Sequence, residues 1–259
     1  MSSNLAALLR WRELITHLAI GSIGKRYRRT FLGVVWTIVH PLAMALIISV
    51  VYGRIMGGGT NDYTAYLCAG LFIWQFISEA ASTACTVLVD SQGFIRQTNV
   101  PMIVYPAVSL ISSFVTFLVG LTALVLGLIL FSTPTWWSIP LMIPGLLLLA
   151  LFGWGVVCIQ SVVGAVVRDH QHITSIALLA LFFTTPIMYP VAVMDRVGQT
   201  WLYQYNPLYY LLTTVRHPLL RGELPPAGVY GVAAAFALGV AVVGHLLFCR
   251  VDRRVVRYL

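Results

Sequence analysis

Charge is what this chain has least of. Only 9% of its 259 residues are Asp, Glu, Lys or Arg, where a soluble domain carries about 25%. So few charges cannot clothe a globular surface in water. With 59% hydrophobic residues and a mean hydropathy of +0.88, the composition excludes soluble, disordered and fibrous classes and leaves a polytopic membrane protein of one domain, 1–259. Lysine is almost missing: Lys25 stands alone beside 15 arginines and 8 acids. The net charge of +8 would suggest nucleic acid in a soluble protein. In a membrane protein it asks which side the cations occupy, and no nucleic acid is expected. Cysteine pairs are also absent. Cys68, Cys85, Cys158 and Cys249 are isolated in or at the ends of apolar runs, which suits small thiols in helix packing rather than zinc or disulfides.

Signatures of catalysis are missing as well. There is no G-x-S-x-G elbow, no H-E-x-x-H and no acidic metal cluster, so neither catalytic residues nor a metal site is expected. Asp169, His170 and His172 sit in a short turn without a further acid or Cys nearby and read as solvated loop residues. No G-x-x-x-x-G-K-[ST] occurs, so the chain has no P-loop of its own and an energised transporter would need a partner. The first 29 residues hold six cations and no clean apolar core before a cleavage site; they do not read as a signal peptide.

What the sequence has is long apolar runs. About 20 apolar residues cross a bilayer as a helix, and the charges cut the chain into six such spans, near 30–53, 63–89, 103–131, 139–167, 173–189 and 224–249. Pro186 and Pro190 stop the fifth. Six spans place both termini on one side. If that side is cytoplasmic, twelve cations lie there and four opposite, at Arg54, Arg196, Arg216 and Arg221; the positive-inside rule assigns the termini to the cytoplasm.

Three segments do not simply span. Over 5–20, Leu8, Trp11, Ile15 and Leu18 share one helical face while Arg10, Glu13 and His17 share another, the pattern of a helix lying in the interface. Residues 90–100 form a cytoplasmic connection. Residues 191–223 are aromatic and moderately polar, with a run at Pro207–Val215 too short to span, as expected of a re-entrant or interfacial hairpin.

Two constellations carry open alternatives. The cluster Lys25, Arg26, Arg28 and Arg29 serves as an anchor at anionic headgroups or as a phosphate contact for a lipid-linked substrate. On the second span Gln75, Ser78, Glu79, Ser82 and Thr86 make a polar stripe. An intramembrane carboxylate faces protein or water rather than lipid, so the stripe is an interhelical hydrogen-bond seam or a polar translocation wall. His40, before Pro41, marks a kink in the first span and reads as hydrogen-bonded within the bundle.

The run Arg26-Tyr27-Arg28-Arg29-Thr30-Phe31-Leu32-Gly33-Val34-Val35-Trp36, closed by Pro41, resembles the start of permease subunits of ATP-binding-cassette polysaccharide exporters. The likeness continues in order through Gly70-Leu71-Phe72-Ile73-Trp74, Arg168-Asp169, Thr185-Pro186-Ile187-Met188-Tyr189-Pro190, Asn206-Pro207 and Arg216. Each motif alone is weak; the ordered series covers nearly the whole chain. It is most similar to the O-antigen/lipopolysaccharide type, with capsule and teichoic-acid exporters as siblings.

The resemblance implies a multi-pass protein of the bacterial inner membrane, a homodimer of this chain above two copies of a P-loop ATPase. No cofactor would be bound by this chain, ATP and Mg residing in the partner. It implies that Ser91–Thr98 is a coupling segment, with Gln92, Gly93, Phe94, Ile95 and Arg96 meeting the ATPase. Phe94 and Ile95 would enter a groove there and Arg96 would pair with an acid. The cargo would be a lipid-linked polysaccharide, sliding through a wet path at the dimer interface between spans one and five. Aromatic rings hold the C–H faces of sugars loosely, so Phe31, Trp36 and Tyr52, with Phe182, Phe183 and Tyr189, are candidates for its lining, and Glu79 for its polar wall. Rival expectations are the same architecture with a smaller glycolipid or drug as cargo, a membrane enzyme acting on polyprenyl-phosphate sugars, and an assembly scaffold.

Overall fold

The computed structural model describes residues 2–27, 33–52, 60–131 and 136–255. Every regular element among them is helical. The chain opens with α1 (Ser2–Arg10) and α2 (Arg12–Tyr27), followed by α3 (Trp36–Tyr52), α4 (Thr60–Asp90), α5 (Gln92–Gln97) and α6 (Val104–Phe131). After a 3-10 stretch at Trp136–Met142 come α7 (Ile143–Val166), α8 (His170–Thr184), α9 (Val191–Val197), α10 (Trp201–Gln204), α11 (Pro207–Arg221) and α12 (Ala227–Val255).

Among the described residues four segments are long and apolar enough to cross a membrane: Tyr63–Asp90, Val104–Val125, Ile139–Val166 and Ala227–Val251. They coincide with expected spans two, three, four and six. Expected span one is represented by the 17 residues of α3, preceded by a 3-10 turn at Gly33–Val35; 30–32 and 53 lie outside the described residues. The α-helix runs through Pro41 without a break. Expected span five is a helix of 15 residues, about 22 Å at 1.5 Å per residue, short of a hydrocarbon core of about 30 Å. It stops at Thr184, two residues before Pro186, because a residue preceding proline avoids the helical region; Thr185 is extended, at φ −91° and ψ 135°.

The centre of the molecule is α4, α6, α7 and α12. Small residues let their backbones approach: a methyl group on Gly155 would overlap the Val240 carbonyl, one on Gly244 the Gly155 carbonyl, and one on Gly164 the Cys85 carbonyl. Around these crossings Phe76 packs on Phe114 and Phe117 with ring centroids 5.5 and 5.4 Å apart, and Leu67, Leu149 and Val157 are wholly buried.

The amphipathic face expected over 5–20 is present, carried by two helices that meet at Trp11, the second of which runs on to Tyr27. Ile15 and Ala19 are buried against Val104 and Ala107 of α6, with Leu8, Trp11 and Leu18 beside them. Arg10, Arg12, Glu13 and His17 are exposed on the other side.

Candidate functional site: a polar-edged flank and a clamped turn

The side of the bundle formed by α3 and α8 differs from its other faces. α3 packs on α4 and α6, burying Thr37, Pro41, Ala45, Ile48 and Ser49, and Ser49 shares a 2.6 Å hydrogen bond with Thr64 of α4. Its remaining surface, including Trp36, Ile47, Val50 and Tyr52, is exposed. On α8 only Thr174 is buried. Between the two helices, floored by α4, runs a cleft of about 350 Å³. Its apolar lining includes Met44, Trp74 and Phe182, the last two rings 5.6 Å apart. Its polar lining is His40, Gln75, Ser78 and Ser175, and Gln75 Oε1 is buried without a hydrogen-bond partner. Such groups are poorly suited to lipid and well suited to water, a second protein surface or a hydroxyl-rich ligand.

The candidate path residues distribute around this cleft. Phe182 lines it, while Trp36, Tyr52 and Phe183 are exposed. The hydroxyl of Tyr189 instead donates to the Phe183 carbonyl at 2.8 Å. Glu79 is half-buried on α4 beside Ser78, but is not among the cleft-lining residues; its backbone carbonyl accepts from Thr83 Oγ1 at 2.8 Å. Phe31 lies outside the described residues, as do Arg28, Arg29 and the side chain of Arg26, while Lys25 is exposed.

The 90–100 connection folds as the short helix α5, capped where Thr98 Oγ1 donates to the Phe94 carbonyl at 2.8 Å. Gly93, Phe94 and Arg96 face outward, Gln92 is half-buried, and Ile95 packs back onto the chain's own core beside Leu88, Met102 and Ile103. His170, expected to be a solvated loop residue, is instead the half-buried first residue of α8, hydrogen-bonded to Gln160 of α7. Thr174 Oγ1 joins the same carbonyl at 3.3 Å. Asp169 and His172 are exposed, and no group of three metal-ligating side chains occurs among the described residues.

At the far end of α4 from α5, the scattered sequence motifs meet. Pro186 ends α8 and leaves carbonyls without helical partners. Arg216 of α11 donates to the Pro186 carbonyl at 2.8 Å and to the Ile187 carbonyl at 3.5 Å. The Tyr66 hydroxyl donates to Pro186 and Tyr189 carbonyls at 2.9 and 3.1 Å, and Tyr63 to Met188 at 2.6 Å. Gly70 gives the guanidinium its space: any side chain there would overlap Arg216 Nη2. The guanidinium also stacks over the Tyr66 ring, 3.9 Å from its centroid. Burial pushes its pKa down, with Tyr66 and Tyr209 acting against that shift, yet an arginine stays protonated. Asn206 starts α11, its Oδ1 accepting from Leu208 N at 3.0 Å while its Nδ2 donates to Thr185 Oγ1 at 3.0 Å. Pro207 in the first turn and Gly222, in the left-handed region at φ 72°, complete the helix ends.

Gly70, Thr185-Pro186, Asn206-Pro207 and Arg216 are thus one device, a non-helical turn whose freed backbone groups are caught by buried side chains. Residues 13–220 match the family described as ABC-2 type transporter. The chain belongs to the ABC-2 type transporter family. Members of this family are transport subunits, not enzymes. Among similar curated proteins is the O-antigen export system permease protein RfbA of Klebsiella pneumoniae, 27% identical over 218 residues and 82% of each chain. RfbA of Myxococcus xanthus is 26% identical over 85% of each chain. The polysialic acid transport protein KpsM of Escherichia coli is 25% identical over 89% of this chain and 90% of its own. An ABC-2 transporter permease is a multi-pass membrane protein that works with an ATP-binding partner.

The sequence reading missed the clamp. It named Tyr66 and Tyr63 nowhere and gave Arg216 no role. The available signal was a single cation within the otherwise uncharged stretch from Trp201 to Leu220.

Proposed function

We propose that this chain is the membrane subunit of an ATP-driven exporter that carries a lipid-linked polysaccharide, of the O-antigen class, across the bacterial inner membrane. The observation that carries this reading is the near full-length similarity to O-antigen export permeases, in a chain with a polar-edged flank on α3 and α8. In this reading the chain spans six times with both termini cytoplasmic. α3 serves as the first span; α8 with the clamped turn serves as the fifth, and α9–α11 dip into the outer face. Two copies meet along α3 and α8, so that the clefts of both line one wet path. Aromatic rings there stack on sugar faces without gripping them, and the diphosphate end starts at the basic cluster around Lys25.

ATP and Mg belong to two ATPase subunits beneath the dimer. Closure of that pair draws the two α5 segments together and favours the open path, because the closed ATPase dimer binds the open permease better. Phe94 and Arg96 are the contacts; Ile95 fixes the segment to the body. The test is purification in mild detergent from the native cell. A P-loop ATPase should co-purify in equal amounts, and Phe94→Ala or Arg96→Ala should lower export without lowering permease abundance. A chain that purifies alone and turns over a polyprenyl-phosphate sugar overturns the reading in favour of an enzyme. Similarity to KpsM supports a second cargo, a capsule glycan. The polymer that accumulates in the cytoplasm when the gene is lost decides between them.

A further inference from the structure

Beside the Arg216 clamp, at the end of the bundle carrying α9 and α11, lies a second cavity, of about 470 Å³. Its polar lining is Tyr66, Tyr209, Thr213, Arg216, His217 and Arg221, and no carboxylate lines it among the described residues. The other walls are apolar, made by Pro190, Val191, Pro226 and Val229.

Arg216 is only 6% exposed. Two of its nitrogens are occupied by carbonyls, while its Nε–H is buried without a partner. Carbonyl dipoles and the Tyr66 ring solvate the guanidinium but leave its charge uncancelled. A buried charge is tolerated when it is paired, and no carboxylate among the described residues is paired with this one. Arg221 brings a second, exposed cation to the rim. His217 is held in place through Nδ1 by the Glu223 backbone carbonyl at 3.0 Å. The cavity therefore combines two guanidinium groups and several hydroxyls with apolar walls.

We propose that this cavity binds a phosphate group carried on a lipid. Guanidinium groups match phosphate oxygens in charge and geometry, and the proline and valine walls suit the carbons next to the phosphate. An uncharged sugar would leave Arg216 as it is, and a free inorganic anion would leave the apolar walls unused. Two lipids offer the same chemistry: an anionic phospholipid headgroup, and the diphosphate of a lipid-linked glycan. The site requires neither the cargo nor the orientation given above, so it can fail or stand independently of them.

The test uses the full-length chain in phosphatidylcholine nanodiscs, titrated calorimetrically with inorganic pyrophosphate. Because Arg216 also holds the turn, the variant that isolates binding is Arg221→Gln. Saturable binding by the wild type, weakened about tenfold in Arg221→Gln at unchanged melting temperature, supports the site; about tenfold corresponds to one charge-assisted hydrogen bond. Binding that is equal in the two proteins, or absent from the wild type, overturns it. So does binding lost on Lys25→Gln with Arg26→Gln but indifferent to Arg221→Gln, which would place the anion at the basic cluster. Repeating the titration in phosphatidylglycerol nanodiscs identifies the source. Competition by the bilayer assigns the cavity to a phospholipid headgroup; unchanged affinity assigns it to the lipid-linked diphosphate.

Discussion

The two sides of α4 are built on opposite terms. Toward α7, and from α7 on to α12, the helices meet through glycines so closely that backbone carbonyls occupy the space a methyl group would need. Toward α3 and α8 the contact is sparse: α8 buries Thr174 alone, and Gln75 Oε1 is left without a partner. In lipid there is no hydrophobic gain from bringing helices together, so tight backbone approach supplies the cohesion. The first side can therefore hold the fold by itself. That leaves the second side free to be wet, polar and dependent on something outside the chain.

The largest expected effect breaks the tight side. Gly155→Ala should cost about 1–3 kcal/mol, the usual range for overpacking, and Gly155→Leu should prevent a stable fold, because the obstacle is the Val240 backbone. Thermal unfolding in detergent reads both. Next is the clamp that joins the two sides. Arg216→Met removes charge-assisted bonds to Pro186 and Ile187 carbonyls, for a loss of about 2–3 kcal/mol. Gly70→Ala should be costly with Arg216 present and nearly silent in Arg216→Met, since the methyl group collides with that guanidinium; a double-mutant cycle measures the difference.

Smaller changes sharpen the contrast from the loose side. Gln75→Leu should raise the melting temperature while lowering export, because it removes an unsatisfied buried acceptor worth about 1 kcal/mol or more and dries the cleft. Smallest of all, Ile176→Ala on α8, whose side chain is 70% exposed, should change stability by less than about 0.5 kcal/mol. A cost near that of Gly155→Ala would show that α8 belongs to the cohesive core after all.

What the sequence disclosed follows from periodicity and charge. Long apolar runs bounded by charges located the four segments that α4, α6, α7 and α12 supply, and the spacing of Leu8, Trp11, Ile15 and Leu18 located the face that α2 buries. Span five was harder. Pro186 reads as a stop in the sequence, but the apolar run continues through Ile187 and Met188, so hydropathy carries the span on to 189 and could not see that the rest is a turn held from outside. The polar stripe on α4 was visible, but not its division: Gln75 and Ser78 reach the cleft, whereas Thr86 lines a separate cavity beside Ser109 and Ser112 of α6. That depends on where α3, α6 and α8 dock. Arg216 was hidden for the same reason. Its partners Tyr66 and Gly70 lie about 150 residues away in the chain, and no local pattern joins them.

The central claim is that α3 and α8 face a second copy of this chain. Cysteine cross-linking in native membranes tests it directly, in a Cys249→Ser background because the other native cysteines are buried. Val50→Cys on α3, at a position 81% exposed, is compared with Leu118→Cys on the lipid-suited face of α6. A covalent dimer from Val50→Cys and none from Leu118→Cys is the expected result. Cross-linking through α6 with α3 silent would contradict it and move the path to another face.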